Sequence, residues 1–166
     1  QQAQFTIAAF KAGVSATADL SQGGFDSHED NDLEQTTNLN ELSSGIDYLW
    51  EAAEEAGIAD RLLVIVGSDF SRTPYYNSAQ GKDHWPVGSY IIMEKGKRYT
   101  NRYVDGSDEG QNAIKIDPAT LKASGFGTKM VTSHVHGALR EHLGLANSAV
   151  ADVFPLKNTE RFNFFS

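Results

Sequence analysis

The sequence predicts an α/β fold built on a parallel sheet, and three observations carry that prediction. Residues 62–66 form a continuous apolar run between Asp60 and Gly67, which is the pattern of a strand buried on both faces of a parallel sheet. Apolar residues recur at helical spacing before this run, and small and β-branched residues fill residues 14–20 still earlier. Because strand, helix and strand follow in that order, we expect a βαβ unit within a single α/β domain over residues 1–166.

The first half of the chain also predicts an N-terminal helix, a loop and the end of the main helix. Residues 1–12 have helical character and end at Gly13. Residues 29–32 are acidic and predict a loop. The main helix then continues to Gly57, because glycine commonly terminates helices. Its apolar positions are Leu39, Leu42, Ile46, Leu49 and Ala53.

The second half predicts a short strand, a long loop and a last helix. Residues 89–93 form the strand, and residues 94–126 form a loop that is long for a compact domain. Thr132 or Ser133 is expected to cap the helix, which Gly144 closes. The inward face of this helix is predicted to consist of Val135, Ala138, Leu139 and His142 or Leu143.

Composition excludes several kinds of partner. The formal net charge is -8, which argues against a nucleic-acid surface or a basic membrane anchor, since both need clustered Lys and Arg. No apolar run approaches the roughly 20 residues of a membrane helix. The chain has no cysteine, so any metal must be held by oxygen atoms and imidazole nitrogens. A metal or a small molecule is therefore the expected partner, and the oligomeric state is left open.

Polar residues that could hold such a metal follow both predicted strands. Asp26 and His28 come after the first strand, and Asp69 comes after the second. Ligands collect outside the carboxyl ends of the strands in an open α/β sheet. If residues 26–28 are extended, the side chains of Asp26 and His28 point to the same side. Arg72 suits a phosphate or sulfate group, and His84 lies in a loop that could fold back over the same place.

Each of these residues also has a purely structural interpretation. An Asp-x-His sequence is more often a turn or a cap than a pair of ligands. Arg72 can pair with a neighbouring carboxylate, and Asp69 can cap the turn after its strand. The three histidines near the last helix are expected to pack or to face solvent. Of these, His134 is the one to test as a ligand.

Aromatic residues flank the predicted site. They would stack on a sugar ring if they bind a ligand, although aromatic side chains at the edge of a core usually only pack. The group consists of Tyr75, Tyr76, Trp85 and Tyr90.

Three motifs in order resemble a known bacterial family. They are Gly-Gly-Phe-Asp-Ser-His at residues 23–28, Ser-Asp-Phe-Ser-Arg-Thr-Pro at residues 68–74 followed by Asn77, and Gly-Lys-Asp-His at residues 81–84. This ordered set is similar to the family called domain of unknown function fifteen-oh-one. The resemblance covers about residues 1–156.

That family resembles the alkaline phosphatase and sulfatase superfamily, which has a two-metal site in an α/β sandwich. The resemblance implies that this chain is the C-terminal part of such a sandwich, and that the nucleophile lies upstream of Gln1. It also implies export to the periplasm or beyond, through the twin-arginine route, and a small-molecule or sugar ester as substrate.

Carried over residue by residue, the resemblance makes Asp26 and His28 a pair of ligands to one divalent metal. Asp69 takes the position of the carboxylate at the strand end, and His84 that of a late histidine ligand. Arg72 is then the catalytic residue that binds the anionic group. The expected metal is zinc, with magnesium, calcium and manganese as the alternatives, and Asp83 is expected to support His84.

The sequence departs from the family pattern at two positions. Phe70 stands where the superfamily usually has a histidine next to the aspartate at the strand end, and Trp85 replaces a common glycine. The first departure removes a ligand from the expected second metal site.

Three interpretations of function follow. The first is a metal-dependent hydrolase of phosphate or sulfate esters. The second is an exported, non-catalytic binding or assembly protein on a degenerate hydrolase scaffold, because a fold does not fix a function. The third is a stable fragment that has no activity of its own.

Overall fold

The computed structural model describes residues 1–104, 106–157 and 160–166. The chain divides into two compact units, Gln1–Gly96 and Lys97–Ser166, each with its own hydrophobic cluster.

Two helices supply most of the hydrophobic core of the first unit. The predicted N-terminal helix is present as α1 (Gln2–Lys11), and the main helix is present as α2 (Asn31–Glu55). Ala3 and Ile7 lie four residues apart on one face of α1 and pack in one cluster with Leu49 and Ala53 of α2. Fully burying a side chain such as Leu49 contributes roughly 1.5–3 kcal/mol, so this contact is a main source of the unit's stability.

Two local predictions in this unit are wrong. Residues 14–20 contain no strand, and their backbone joins no β-ladder within the described residues. A strand needs a neighbour to pair its backbone groups, and small and β-branched residues cannot supply one. Residues 31 and 32 belong to α2 rather than to an acidic loop, because a carboxylate such as Asp32 is favourable in the first turn of a helix.

The apolar run is a strand, but its neighbour is antiparallel. After a short 3-10 helix (Ala59–Arg61), β1 (Leu63–Val66) pairs with β4 (Ile91–Glu94), with Leu63 opposite Glu94. Between them, β2 (Ser71–Arg72) pairs with β3 (His84–Trp85), also antiparallel. Without a strand at residues 14–20, the expected βαβ unit does not form from these elements. The alkaline phosphatase-like sandwich stays a prediction.

The second unit contains a small strand pair and two helices. The pair consists of β5 (Lys115–Ile116) and β6 (Thr128–Lys129), so the long loop predicted at residues 94–126 includes one short strand. The helices are α3 (Thr132–His142) and α4 (Ala149–Val153). Ile116 is fully buried against Leu121 and Phe162.

The last predicted helix is present as α3, but its cap differs from the prediction. Neither Thr132 nor Ser133 caps it, because both lie inside the helix after the N-cap residue Val131. Nδ1 of the buried His134 accepts a hydrogen bond from the Val131 backbone N–H at 3.1 Å. Ala138 and Leu139 are buried as expected.

Among the described residues, every helix is too short or too polar to cross a membrane.

Candidate metal centre

A two-residue strand pair places the first functional side chains together. Arg72 of β2 lies directly opposite His84 of β3, and residues opposite each other in an antiparallel pair have side chains on the same face. The Thr73 backbone N–H donates to the Asp83 carbonyl oxygen at 2.9 Å, and Thr73 Oγ1 accepts from the Asp83 N–H at 3.2 Å. The pair is therefore held firmly at the end next to the site.

Residues 26–29 lie alongside the loop that precedes β3. The Lys82 backbone N–H donates to the Ser27 carbonyl oxygen at 2.9 Å, and Asn77 Nδ2 donates to the His28 carbonyl oxygen at 2.9 Å. Gly81 makes this approach possible, because a Cβ atom on it would lie 1.8 Å from the His28 carbonyl oxygen. A side chain at Gly81 would thus push the two segments apart.

Three potential ligand atoms converge where the segments meet. They belong to Asp26, His28 and His84, and all lie within 4.8 Å of one another. Nε2 of His28 lies 3.2 Å from Asp26 Oδ1 and 3.2 Å from His84 Nε2, and His84 Nε2 lies 3.8 Å from the same Asp26 oxygen. One carboxylate oxygen and two imidazole nitrogens form the ligand set of many catalytic zinc sites.

The tautomer of His28 follows from its partners. Nδ1 of His28 lies 3.0 Å from Asp83 Oδ1, and an ionised carboxylate can only accept, so Nδ1 carries the proton. Nη1 of Arg72 lies 3.3 Å from His28 Nε2, and a guanidinium can only donate. In a neutral His28 with the proton on Nδ1, the lone pair lies on Nε2 and faces the other two ligand atoms, as metal binding requires.

Asp83 contacts Nδ1 of His28, the ring nitrogen outside the ligand set. Hydrogen bonds from the His28 side chain and then from Asn77 lower the pKa of Asp83 below its ordinary value of 3.8. A carboxylate that accepts the second ring N–H of a histidine ligand fixes the orientation of the ring and raises its basicity. The family resemblance implied that Asp83 supports His84. In this structure the Asp83 carboxylate contacts His28 instead.

Arg72 contacts both Asp26 and the loop that precedes β3. Its Nη2 donates to Asp26 Oδ1 at 2.5 Å, and its Nη1 donates to the Lys82 carbonyl oxygen at 3.1 Å. The hydrogen bond from Arg72 is the main reason that the pKa of Asp26 lies below 3.8. The Asp26 side chain is 77% exposed and that of Arg72 only 14%, so the carboxylate faces solvent and the arginine is packed.

Phe70 packs against the site. Its ring lies 4.0 Å from that of His84, and Cζ of Arg72 lies 5.4 Å from the Phe70 ring centre. An aromatic face near a guanidinium gives a cation–π attraction. The residue that departs from the family pattern thus contacts one potential ligand and the arginine.

The structure does not bring Asp69 into the set. Asp69 lies on the exposed bend after β1 and offers no atom to the group of three ligand atoms.

The aromatic residues near the site contact other side chains. The Tyr75 ring meets the Trp85 ring edge-on, with 6.3 Å between the ring centres, and the Tyr76 hydroxyl donates to Asp32 at 2.6 Å.

A buried polar network lies behind Asp26 and His28. Ser27, between them in sequence, is fully buried and points the other way. Its hydroxyl donates to Asn31 Oδ1 at 2.8 Å and accepts from Gln35 Nε2 at 2.9 Å. The first turns of α2 therefore hold the backbone from which the two potential ligands project.

No sequence pattern indicated the roles of Ser27, Asn31 and Gln35, since polar residues near a helix start normally face solvent. Asn77 was visible only as part of a motif. Its Oδ1 accepts the backbone N–H groups of Ala79 and Gly81 at 2.9 and 3.0 Å, so it also shapes the loop that contains Gly81.

Comparison with known proteins agrees with the motifs. No curated protein and no solved structure matches the chain significantly. Residues 6–97 match the family described as "Protein of unknown function (DUF1501)", and this range contains all three potential ligands, Arg72 and Asp83. More than half of the chain is matched, and the chain therefore belongs to the DUF1501 family.

Proposed function

We propose that this chain binds one divalent metal ion through Asp26, His28 and His84 and contributes it to the hydrolysis of phosphate or sulfate esters. The observation that carries the proposal is the convergence of the three ligand atoms within 4.8 Å, together with the Asp83 carboxylate on the far nitrogen of His28.

The donor set favours zinc over the other metals considered. Magnesium and calcium prefer oxygen ligands, whereas imidazole suits zinc. Three protein ligands leave a zinc ion one open position for water or substrate, which is typical of catalytic sites. The Nε2 atoms of His28 and His84 lie 3.2 Å apart, and their lone pairs would repel each other unless a proton or a cation lies near both.

The chemistry of the proposed reaction divides between the metal and the protein. A bound zinc ion would polarise an ester oxygen and lower the pKa of a bound water. Arg72 would orient the anionic group of the ester, because its planar donors match phosphate and sulfate. Asp83 would keep His28 in the correct tautomer. The resemblance of the family to the alkaline phosphatase and sulfatase superfamily supports this division, as well as an exported location.

Metal binding is tested by titrating the 166-residue chain with zinc in a calorimeter. We expect one zinc per chain and a large loss of affinity in His28→Ala. The matched control is His136→Ala, because His136 is an exposed histidine of α3 in the second unit. A wild-type chain that binds no zinc, or a His28→Ala chain that binds it equally well, would refute the site.

Hydrolysis is tested on the longest natural form of the protein. Aryl phosphate and aryl sulfate are supplied with zinc and with a chelator. Zinc-dependent turnover of either ester supports the proposal. Stoichiometric zinc without turnover of either ester would retain the metal site and reject the hydrolase.

The position of Phe70 favours a second candidate function. The ring of Phe70 packs on His84, where the superfamily usually has another ligand, and Asp69 stands apart from the set. Both features suit a non-catalytic binding protein on a hydrolase scaffold. In that case elemental analysis of the purified protein finds no stoichiometric metal, and Asp26→Asn leaves partner binding intact.

A further inference from the structure

Arg72 contacts the same atoms that a metal ion would need. Its Nη2 lies 2.5 Å from Asp26 Oδ1, and its Nη1 lies 3.3 Å from His28 Nε2. Both acceptor atoms belong to the convergent set. Two of the three potential ligands are therefore already engaged by a positive charge that is part of the chain.

A metal ion bound to His28 excludes the contact of Arg72 with that residue, and it disfavours the contact of Arg72 with Asp26. A neutral imidazole nitrogen has a single lone pair, so His28 Nε2 cannot bind a metal and accept from Arg72 at once. A guanidinium 2.5 Å from the oxygen that holds a divalent ion would also place two positive charges close together, with a large Coulomb cost.

The rest of Arg72 is fixed beside the site. Nη1 also donates to the Lys82 carbonyl oxygen at 3.1 Å, the guanidinium lies near the Phe70 ring, and the side chain is 14% exposed. Once Nη2 leaves Asp26, it loses its partner, while the contacts with Lys82 and Phe70 keep the side chain beside the site. A tetrahedral oxyanion is the class of ligand that fits such a charged, forked donor.

We infer that the Arg72 guanidinium and a divalent metal ion exchange on Asp26 and His28, and that only the released guanidinium binds an oxyanion. This inference rests on the proposed metal site. Arg72 acts as an internal counter-ion when no metal is present and as an anion ligand when metal is bound. Metal and oxyanion then bind with positive coupling, and each raises the affinity for the other by the same factor.

The test measures zinc affinity by calorimetry on the full chain, with Arg72→Met and Arg72→Gln as two independent variants. We expect both to bind zinc about tenfold more tightly than wild type, since a charge-assisted hydrogen bond no longer competes. Arg61→Met removes the same charge from the exposed 3-10 helix and should leave the affinity unchanged. Equal or weaker zinc binding in both Arg72 variants would overturn the exchange.

Titrations with inorganic sulfate measure the coupling between zinc and sulfate binding. The loss of the Arg72 charge alone does not predict this coupling. Sulfate should tighten zinc binding in the wild type, and zinc should tighten sulfate binding by the same factor. This coupling should largely disappear in both Arg72 variants. A coupling factor that is the same in wild type and variants would contradict the inference but leave the metal site in place. If neither wild type nor variants bind zinc, the proposed function itself fails.

Discussion

Nδ1 of His28 lies 3.0 Å from Oδ1 of Asp83, although the two residues are 55 positions apart in the chain. This contact orients Nε2 of His28 toward Asp26 and His84. It also makes Asp83 a positioning residue, because its carboxylate belongs to no group of three potential ligands in the described part of the chain.

Asp83→Asn should weaken zinc binding about ten- to a hundredfold, because partners of this kind tune histidine ligands to that extent. The measurement is a calorimetric titration, with a circular dichroism spectrum to verify that the variant is folded. Asp47→Asn on the exposed surface of α2 is the matched control. Unchanged affinity in Asp83→Asn would show that the His28–Asp83 contact does not matter for the metal.

Gly81→Ala should destabilise the first unit by about 1–3 kcal/mol, the usual cost of forcing extra atoms into a packed region. The added Cβ would meet the His28 carbonyl carbon and oxygen and the Glu29 nitrogen, all of them backbone atoms. Urea denaturation measures the effect. Gly45→Ala in α2 has open space around it and should instead stabilise by about 0.5–1 kcal/mol. Similar changes in the two variants would contradict the close approach at Gly81.

Ser27→Ala should cost about 1–3 kcal/mol, because Asn31 Oδ1 and Gln35 Nε2 both lose a partner in a buried place. Zinc affinity should fall with it, since Ser27 holds the backbone between two ligands. Denaturation and zinc titration are compared with Ser44→Ala, whose exposed hydroxyl only bonds to Asn40 within α2. A Ser27→Ala chain as stable as the Ser44→Ala chain would argue against the network.

Stability should fall in acid as Asp26 and Asp83 are protonated. The pKa of each is lowered below 3.8 in the folded protein, that of Asp26 by Arg72 and that of Asp83 by His28 and Asn77. A carboxyl group with a lowered folded pKa contributes stability that is present above the unfolded value of 3.8 and is lost as pH falls through the folded value.

Urea midpoints measured from about pH 6 to about pH 2 give this dependence. Asp26→Asn and Asp83→Asn should each flatten the acid slope relative to wild type. Because both groups are exposed, added salt should weaken the effect. If the acid slope is identical in wild type and both site variants, Asp26 and Asp83 do not contribute to the pH dependence of stability.

The sequence by itself determined three of the helices and the kinds of donor atom at the candidate site. Helical periodicity and terminal glycines depend on neighbouring residues, so α1, α2 and α3 could be predicted from local pattern. The Asp-x-His motif likewise shows which donor atoms are present, and the absence of cysteine limits them to oxygen and nitrogen. The family could be recognised from the ordered motifs, because their spacing is a property of the chain alone.

Only the tertiary structure decided which residues meet. Residues 14–20 have the composition of a strand but pair with no neighbour in the described part of the chain. Asp69 follows a true strand yet stays outside the ligand set. Whether residues far apart in the chain converge depends on backbone contacts such as Gly81 with His28 and on the pairing of Arg72 with His84. The competition between Arg72 and a metal for the same atoms depends on distances of a few ångströms, which no sequence pattern specifies.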